Sequence, residues 1–370
     1  MRIAHVSDSY LPRLGGMELQ IAGLAGHQQA AGHTVEVVTG SGPGPEPDPL
    51  PVHRVSGPRV RRPAAAVRTV LGGKFDAVHV HVGVGSPLAF SVAGAAARAG
   101  IPTVVTVHSL WAYVAPIFRS VDAVAGISRL PIRWTAVSAA AAAPVRRMLP
   151  RGTTVTMLPN GIDQGDWDQP RRPRIPDTIV IAAVMRLTVR KRTLPLLRML
   201  RQARAEIPDS IRLRAVVLGD GPRRPAAQRY LREHGMMPWV TLPGSAPRSV
   251  VAGLLHSADV FVAPAGLESF GIAALEARCA GLPVLARAST GVVEFVRHGQ
   301  EGLLSGTDEQ MAAQLVRLAT DEPLRESISR HNRETPCPIS WDAVLARSAA
   351  AYDEAAALLG MPRPLTGARR

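Results

Sequence analysis

The segment Asp259-Val260-Phe261-Val262-Ala263-Pro264-Ala265-Gly266-Leu267-Glu268-Ser269-Phe270-Gly271-Ile272-Ala273-Ala274-Leu275-Glu276 reads as a buried strand, a short loop and the start of a helix. Residues 259–263 are a brief apolar run of the kind found inside a parallel sheet. Ser269 is the expected N-cap, and the helix should stop at Gly281, ahead of Pro283 and a further short strand at 283–286. A strand, a helix and a second strand in that order make a crossover unit, which predicts an α/β protein with helices covering a parallel sheet.

The same alternation extends in both directions. Residues 2–7, 34–38, 76–81, 103–108, 134–138 and 154–158 read as strands of a first sheet, with helical stretches at 17–31 and 87–99. A polar, Pro-rich linker at 164–176 precedes a second series of strands at 178–184, 212–218, 239–242, 259–263 and 283–286, and from about Asp308 the chain is mainly helical. At 370 residues the chain exceeds what one core organises. The prediction is two doubly wound Rossmann-like domains, 1–166 and 167–345, followed by 346–370 as a helix returning to the first domain and a tail. Residues 41–51 read as a surface loop and 362–370 as a frayed end. In such domains the ligand is expected in the cleft where the loops after the strands gather.

Composition excludes other classes. With 46% hydrophobic and 19% charged residues the chain can bury cores, so it is not disordered. The apolar run at the N-terminus breaks at Asp8, unlike a signal peptide, and no window approaches a spanning helix, so a cytoplasmic protein is expected. Cys279 and Cys337 are far apart in sequence and fit neither a disulfide framework nor a zinc site. The net charge of +14 suggests a polyanionic partner, yet 41 of the 43 cations are arginines and the excess is spread, +6 over residues 1–166 and +8 over 167–370. Aromatic residues, at 4%, are too sparse for a base-stacking surface.

Familiar phosphate-binding signatures fail. Gly15-Gly16 has no third glycine, Gly219-Asp220-Gly221 runs into Pro222-Arg223-Arg224, and Gly73-Lys74-Phe75 lacks the Ser/Thr of a Walker loop. What remains is an anion site at the start of the helix capped by Ser269, where free N–H groups and the dipole favour phosphate and Gly271 admits close approach. Glu268 and Glu276 bracket it. On one helix they would lie ~12 Å apart along the axis, beyond the roughly 5–9.5 Å of a glycosidase acid pair, so they read as hydroxyl acceptors for opposite ends of a ligand. Arg186 and Lys191, after the first strand of the second series, are cationic partners for a diphosphate. Lys191 is the more telling, because Lys74 is the only other lysine. Asp166-Trp167-Asp168 spells a metal-diphosphate motif but sits in the linker, where Trp167 as an aromatic anchor is preferred. His79 and His81 share a strand face without an evident third metal ligand, so packing at a sheet end is expected.

Taken in order, these residues resemble the retaining glycosyltransferases of family 4, whose GT-B fold has two facing Rossmann-like domains. The resemblance runs from the first strand to the Trp341 helix. Its strongest element is Glu268-Ser269-Phe270-Gly271 with Glu276, supported by Gly15-Gly16, His108, Asn160-Gly161-Ile162-Asp163, Arg186 with Lys191, Gly219-Asp220-Gly221 and Glu294. There is a further resemblance to phosphatidylinositol mannosyltransferases. The family 4 resemblance implies that Glu276 holds ribose hydroxyls of a nucleotide-sugar, Glu268 a hydroxyl of the transferred sugar, and Arg186 and Lys191 the diphosphate. The Phe270, Gly271 and Ile272 amides would lie near sugar or phosphate, Gly16 would let a first-domain loop approach the donor, and His108 would face the acceptor and the reacting sugar. Met185, Arg192 and Val292 stand where the family usually has glycines.

The implied function is retaining transfer of a sugar from a nucleotide-diphosphate sugar, GDP-mannose ahead of UDP-sugars, to a hydroxyl of a lipid-linked or glycan acceptor. Neither metal nor cofactor is implied, the donor being a substrate. The alternatives are a sugar-nucleotide epimerase or phosphorylase on the same fold, or a noncatalytic nucleic-acid binder, which the acids at Glu268 and Glu276 oppose. Residues 49–75 contain no acid but carry Arg54, Arg59, Arg61, Arg62, Arg68 and Lys74. If 63–71 is helical, Arg59, Arg61, Arg62 and Arg68 make a basic face suited to an anionic leaflet and a peripheral membrane location.

Overall fold

The computed structural model describes residues 1–13, 15–45, 47–111, 115–168 and 175–361. The tail at 362–370, and 169–174 of the expected linker, lie outside the described residues. Two compact units are present: Met1–Gly161 with Ile339 onward, and Ile162–Pro338. The sequence boundaries at 166 and 345 therefore differ from those of the compact units by a few residues.

The strands are β1 (Arg2–Ser7), β2 (Thr34–Thr39), β3 (Val52–Arg54), β4 (Ala77–Val82), β5 (Thr103–Val107), β6 (Ile132–Ala136) and β7 (Val155–Met157) in the first unit. The second holds β8 (Thr178–Val184), β9 (Arg212–Leu218), β10 (Val240–Gly244), β11 (Val260–Ala263), β12 (Val284–Arg287) and β13 (Gly302–Ser305). The helices are α1 (Gly16–Ala30), α2 (Arg62–Gly72), α3 (Pro87–Arg98), α4 (Ala115–Ala125), α5 (Ala139–Arg146), α6 (Thr193–Glu206), α7 (Arg224–Glu233), α8 (Arg248–Ser257), α9 (Ile272–Cys279), α10 (Asp308–Thr320), α11 (Glu322–Glu334) and α12 (Trp341–Leu358). Among the described residues no helix is long and apolar enough to cross a membrane.

All pairings between these strands are parallel, in the orders β3-β2-β1-β4-β5-β6-β7 and β10-β9-β8-β11-β12-β13. Chain order reverses between β1 and β4 in one sheet and between β8 and β11 in the other, which creates a crevice at each switch point. Strands covered on both faces need near-continuous apolar runs, and β1 and β4 supply them with His5, His79 and His81 embedded among valine, isoleucine and alanine.

Two strands escaped the sequence reading. β3 is a three-residue edge strand beside β2, with His53 on Glu36 and Arg54 on Asp48. β13 opens on Gly302, where a Cβ would stand 1.9 Å from the Val284 carbonyl oxygen, so glycine is what lets β13 reach β12. The N-cap expectation is corrected as well: α9 begins at Ile272 and its cap is Gly271, at φ +96°, rather than Ser269. Phe270 turns into the core against Phe295, with ring centroids 5.5 Å apart, which keeps 268–270 out of the helix. Cys279 and Cys337 also meet: the Cys337 thiol and burial together push the Cys279 thiol upward.

The return of the chain to the first unit is anchored by Trp341 at the start of α12. Its ring packs with Leu24, Leu158 and Val344 and stacks on His27 at 4.5 Å. Cβ atoms on Gly23 and Gly161 would lie 2.4 and 2.3 Å from that ring, so both glycines are needed for the fit. Gln20 fixes Gly161 further, exchanging two hydrogen bonds of 2.9 Å with its amide and carbonyl. Trp341→Ala should therefore destabilise the first unit by about 3–5 kcal/mol, read from urea denaturation. A loss below about 1 kcal/mol would contradict this packing.

Candidate active site

In the second unit β8 ends at Val184 and its neighbour β11 at Ala263, so residues 185–192 and 264–271 leave the sheet on either side of the switch point. Lys191 from the first loop donates from Nζ to Oε2 of Glu268 in the second, as an ion pair with side-chain exposures of 30% and 19%. The Lys191 amide is tied to Thr188 Oγ1 at 3.2 Å. Arg186 is exposed, and its guanidinium makes no hydrogen bond or ion pair among the described residues.

Gly219-Asp220-Gly221, which carries no dinucleotide signature, grips the backbone around Arg186. Met185 N donates to Leu218 O and Leu187 N to Asp220 O, both at 2.9 Å. Cβ atoms on Gly219 and Gly221, at φ +133° and +156°, would stand 1.8 and 2.5 Å from the carbonyl oxygens of Met185 and Leu187. Only glycine permits that contact.

At α9, Ala274 and Leu275 both donate to the Gly271 carbonyl, while the Ile272 and Ala273 amides, at the helix start, have no intrahelical acceptor. A Cβ on Gly271 would sit 2.7 Å from Val292 Cγ2. The loop holding Val292 is clamped to the same segment by Gly291 N on Glu268 O at 2.9 Å and capped by Thr290, and Glu294 follows in its 3-10 turn. Glu276 lies in the second turn of α9. Burial pushes its carboxyl up to about 7, against the opposing pull of the Arg248 charge. Arg248 itself lies over the Trp167 ring at 4.9 Å, and His256 Nε2 donates to the Trp167 carbonyl at 2.8 Å. Trp167 is buried, as an anchor should be.

The three departures from family glycines have local reasons. Met185 packs on the core of this unit. Val292 fills the space above Gly271 and is buried. Arg192 keeps the left-handed backbone, at φ +63°, at a cost of order 1–3 kcal/mol, and its guanidinium pairs with Asp308.

A cavity of about 520 Å³ opens in the first unit at the switch point between β1 and β4, a size suited to a small ligand. Asp8, Ser9, Glu18, Arg59, Arg62 and Ser86 are among its walls. Asp8 caps α3, accepting from Leu88 N at 3.1 Å and Ala89 N at 2.9 Å, and burial raises its carboxyl. Glu18 accepts from Ser9 Oγ at 2.6 Å. Gly16 opens α1, and at its neighbour Gly15 a Cβ would meet Glu18 Oε2 at 2.3 Å. Arg62 turns inward and donates to Gly40 O and Gly57 O, so it leaves the basic face expected of it, while Arg61 and Arg68 stay exposed.

His108 follows β5, with Nε2 3.0 Å from Nδ1 of His81. The third metal-type ligand missing from the sequence reading is His5, whose Nδ1 lies 2.8 Å from His81 Nε2. Yet every ring nitrogen of His5, His79 and His81 already has a protein partner. Pairing β1 with β4 sets His5 opposite His79. The i, i+2 spacing of His79 and His81 was visible in sequence, but Gln28, Tyr352 and Arg248 join their clusters only through tertiary packing.

Comparison with known proteins agrees with this architecture. Residues 14–165 match the family model Glycosyltransferase Family 4, and residues 166–335 match Glycosyl transferases group 1. The D-inositol 3-phosphate glycosyltransferase of Stackebrandtia nassauensis is 30% identical over 309 residues, covering 76% of this chain and 69% of that protein. The phosphatidylinositol N-acetylglucosaminyltransferase subunit of Arabidopsis thaliana is 26% identical over 373 residues, covering 96% and 82%. With other curated D-inositol 3-phosphate glycosyltransferases the match spans 24–47% of their length. Among solved structures, Anabaena HepE in complex with UDP-glucose is similar with a TM-score of 0.75 and 19% identity, covering 95% of this chain and 100% of that one. The chain belongs to the family 4 glycosyltransferases, and its two Rossmann-like units are those of the GT-B fold.

Proposed function

We propose that the protein transfers a sugar, with retention at the anomeric carbon, from a nucleoside-diphosphate sugar to a hydroxyl of a lipid-linked or glycan acceptor. The observation that carries this reading is the Lys191–Glu268 pair across the switch point of the second unit. An ammonium has three donors, so Lys191 can orient Glu268 and still face a phosphate. Arg186 adds an exposed guanidinium with no carboxylate partner among the described residues, and the Ile272 and Ala273 amides add donors at a helix start. Glu276 takes the ribose hydroxyls, and Glu268 a hydroxyl of the sugar.

In the reaction the bond from the anomeric carbon to the leaving phosphate oxygen breaks, and the bond to the acceptor oxygen forms on the same face. The acceptor proton passes to the departing diphosphate, whose charge Arg186 and Lys191 stabilise without need of a metal. His108 is assigned to the reacting centre. The cavity in the first unit takes the acceptor, with Asp8 and Glu18 as hydroxyl acceptors and Arg59 and Arg62 for an anionic group. UDP-glucose, held by a structural neighbour, and GDP-mannose, favoured by the sequence resemblance, are the donors to compare first.

Calorimetry separates the two acids. Glu276→Gln should weaken UDP or GDP by about 10- to 100-fold, the loss of a charged acceptor worth about 1.5–3 kcal/mol, whereas Glu268→Gln should leave that affinity within about twofold and lower turnover. Equal losses would reject the assignment. The sign with pH follows from burial: hydroxyl donors favour the ionised Glu276, so affinity for a donor sugar should rise between pH 6 and 8 by up to about tenfold. In Glu276→Gln that slope should vanish.

Membrane attachment is part of the same proposal. Arg59, Arg61 and Arg68 with the 86%-exposed Val60 leave about 3 kcal/mol of attraction to an anionic leaflet, at ~1 kcal/mol per residue. Cosedimentation at low salt should show binding to anionic but not zwitterionic vesicles, lost when these three arginines become glutamine. Absence of binding would favour an acceptor free in solution.

A further inference from the structure

Behind His108 the first unit buries an unbroken series of hydrogen bonds. Nε2 of His108 lies 3.0 Å from Nδ1 of His81, Nε2 of His81 lies 2.8 Å from Nδ1 of His5, and Nε2 of His5 lies 2.7 Å from Oε1 of Gln28. From Gln28 the series passes to the Tyr352 hydroxyl of α12 at 2.9 Å, to Nδ1 of His79 at 2.9 Å, and from its Nε2 to Thr106 Oγ1 at 2.7 Å. Thr106 and Thr135 share a bond of 2.6 Å, and Thr135 reaches the Val105 carbonyl at 3.3 Å.

A neutral imidazole has one N–H and one lone pair, and a hydroxyl has one proton, so fixing the direction of any one bond fixes its neighbours. Two ends fix it independently. The Val105 carbonyl can only accept, so Thr135 donates to it, Thr106 to Thr135, His79 Nε2 to Thr106 and Tyr352 to His79 Nδ1. Tyr352 must then accept from the Gln28 amide. The second anchor is Ser348, whose hydroxyl donates to Leu345 O at 2.9 Å and so can only accept from Gln28 Nε2, at 3.3 Å. Both place the Gln28 carbonyl oxygen toward His5. His5 therefore carries its proton on Nε2, His81 on Nε2, and His108 on Nε2. The rings remain neutral because burial lowers all four, His5 and His108 to about 4.

We propose that this one-way chain sets which nitrogen of His108 carries the proton, making Gln28, held by Ser348 and Tyr352, a positioning residue for the reacting centre. The kinetic part rests on the role assigned to His108 above. The series also gives α12 a task beyond covering the sheet, since the two hydroxyls that orient Gln28 both belong to it.

The test is nitrogen NMR of histidine-labelled protein, with the His108 signals assigned by their loss in His108→Gln. The wild-type protein should show His108 as the Nε2–H tautomer, and the Nδ1–H tautomer would overturn the proposal outright. Gln28→Met removes the acceptor for His5 and should give mixed tautomers at His108, with kcat lower by about tenfold or more and donor KM within about twofold. Ser348→Ala with Tyr352→Phe, which removes two hydroxyls and almost no volume, should do the same by freeing the amide to flip. If either folded variant keeps a single Nε2–H tautomer, the chain does not set it and the proposal fails. A lost tautomer with unchanged kcat would instead leave the chain standing and remove His108 from the reacting centre.

Discussion

The ion pair between Lys191 and Glu268 is the constraint around which the second unit is arranged. Its two loops leave adjacent strands, β8 and β11, at the one place in the sheet where the chain order reverses. To bring a lysine and a glutamate together there, each loop must be held by something other than regular structure. On the β8 side the holding is done by Gly219 and Gly221, whose missing side chains let the 185–187 backbone lie against them, and by the left-handed Arg192 tied to Asp308. On the β11 side it is done by Phe270 in the core, Gly271 beneath Val292, and Gly291 bonded to the Glu268 carbonyl.

The two acids of this segment consequently sit in different electrostatic settings. Glu268 has an ammonium in hydrogen-bond contact. Glu276 lies one turn into α9 where burial dominates, and the charge of Arg248, itself stacked on Trp167, offsets only part of that. A carboxyl held near neutrality in this way gains most when hydroxyl donors arrive, which suits a ribose better than a phosphate. The cations and the amides at the start of α9 serve the opposite requirement. Acceptors and donors are thus divided between the two loops and the start of α9, an arrangement that suits a ligand with hydroxyls at both ends and charge in the middle.

Much of this was legible in the sequence because it depends on local pattern. β1, β8 and β9 have the bounds that apolar runs dictate, and the order of short motifs was enough for the family. Reading failed where a residue acts through a distant neighbour. Ser269 has the side chain of an N-cap, but Phe270 and Gly271 respond to Phe295 and Val292, which move the helix start. The strand at 302–305 was missed, and its Gly302 is required only because β12 lies beside it. His79 and His81 suggested a metal pair without a third member, and His5 became that member only through the register of β1 on β4. Tyr352, 273 residues from His79 in the chain, carries no local sign of their hydrogen bond.

The claim that Lys191 and Glu268 act as one unit on the sugar end of a donor is tested most directly by a double-mutant cycle in binding. Lys191→Met, Glu268→Gln and the double variant would be titrated calorimetrically with UDP-glucose or GDP-mannose, whichever binds, and with the matching nucleoside diphosphate. The account predicts coupling of about 1 kcal/mol or more for the donor sugar and little for the bare nucleotide, because only the sugar meets Glu268. Additive losses with the donor sugar, or equal coupling with both ligands, would contradict it.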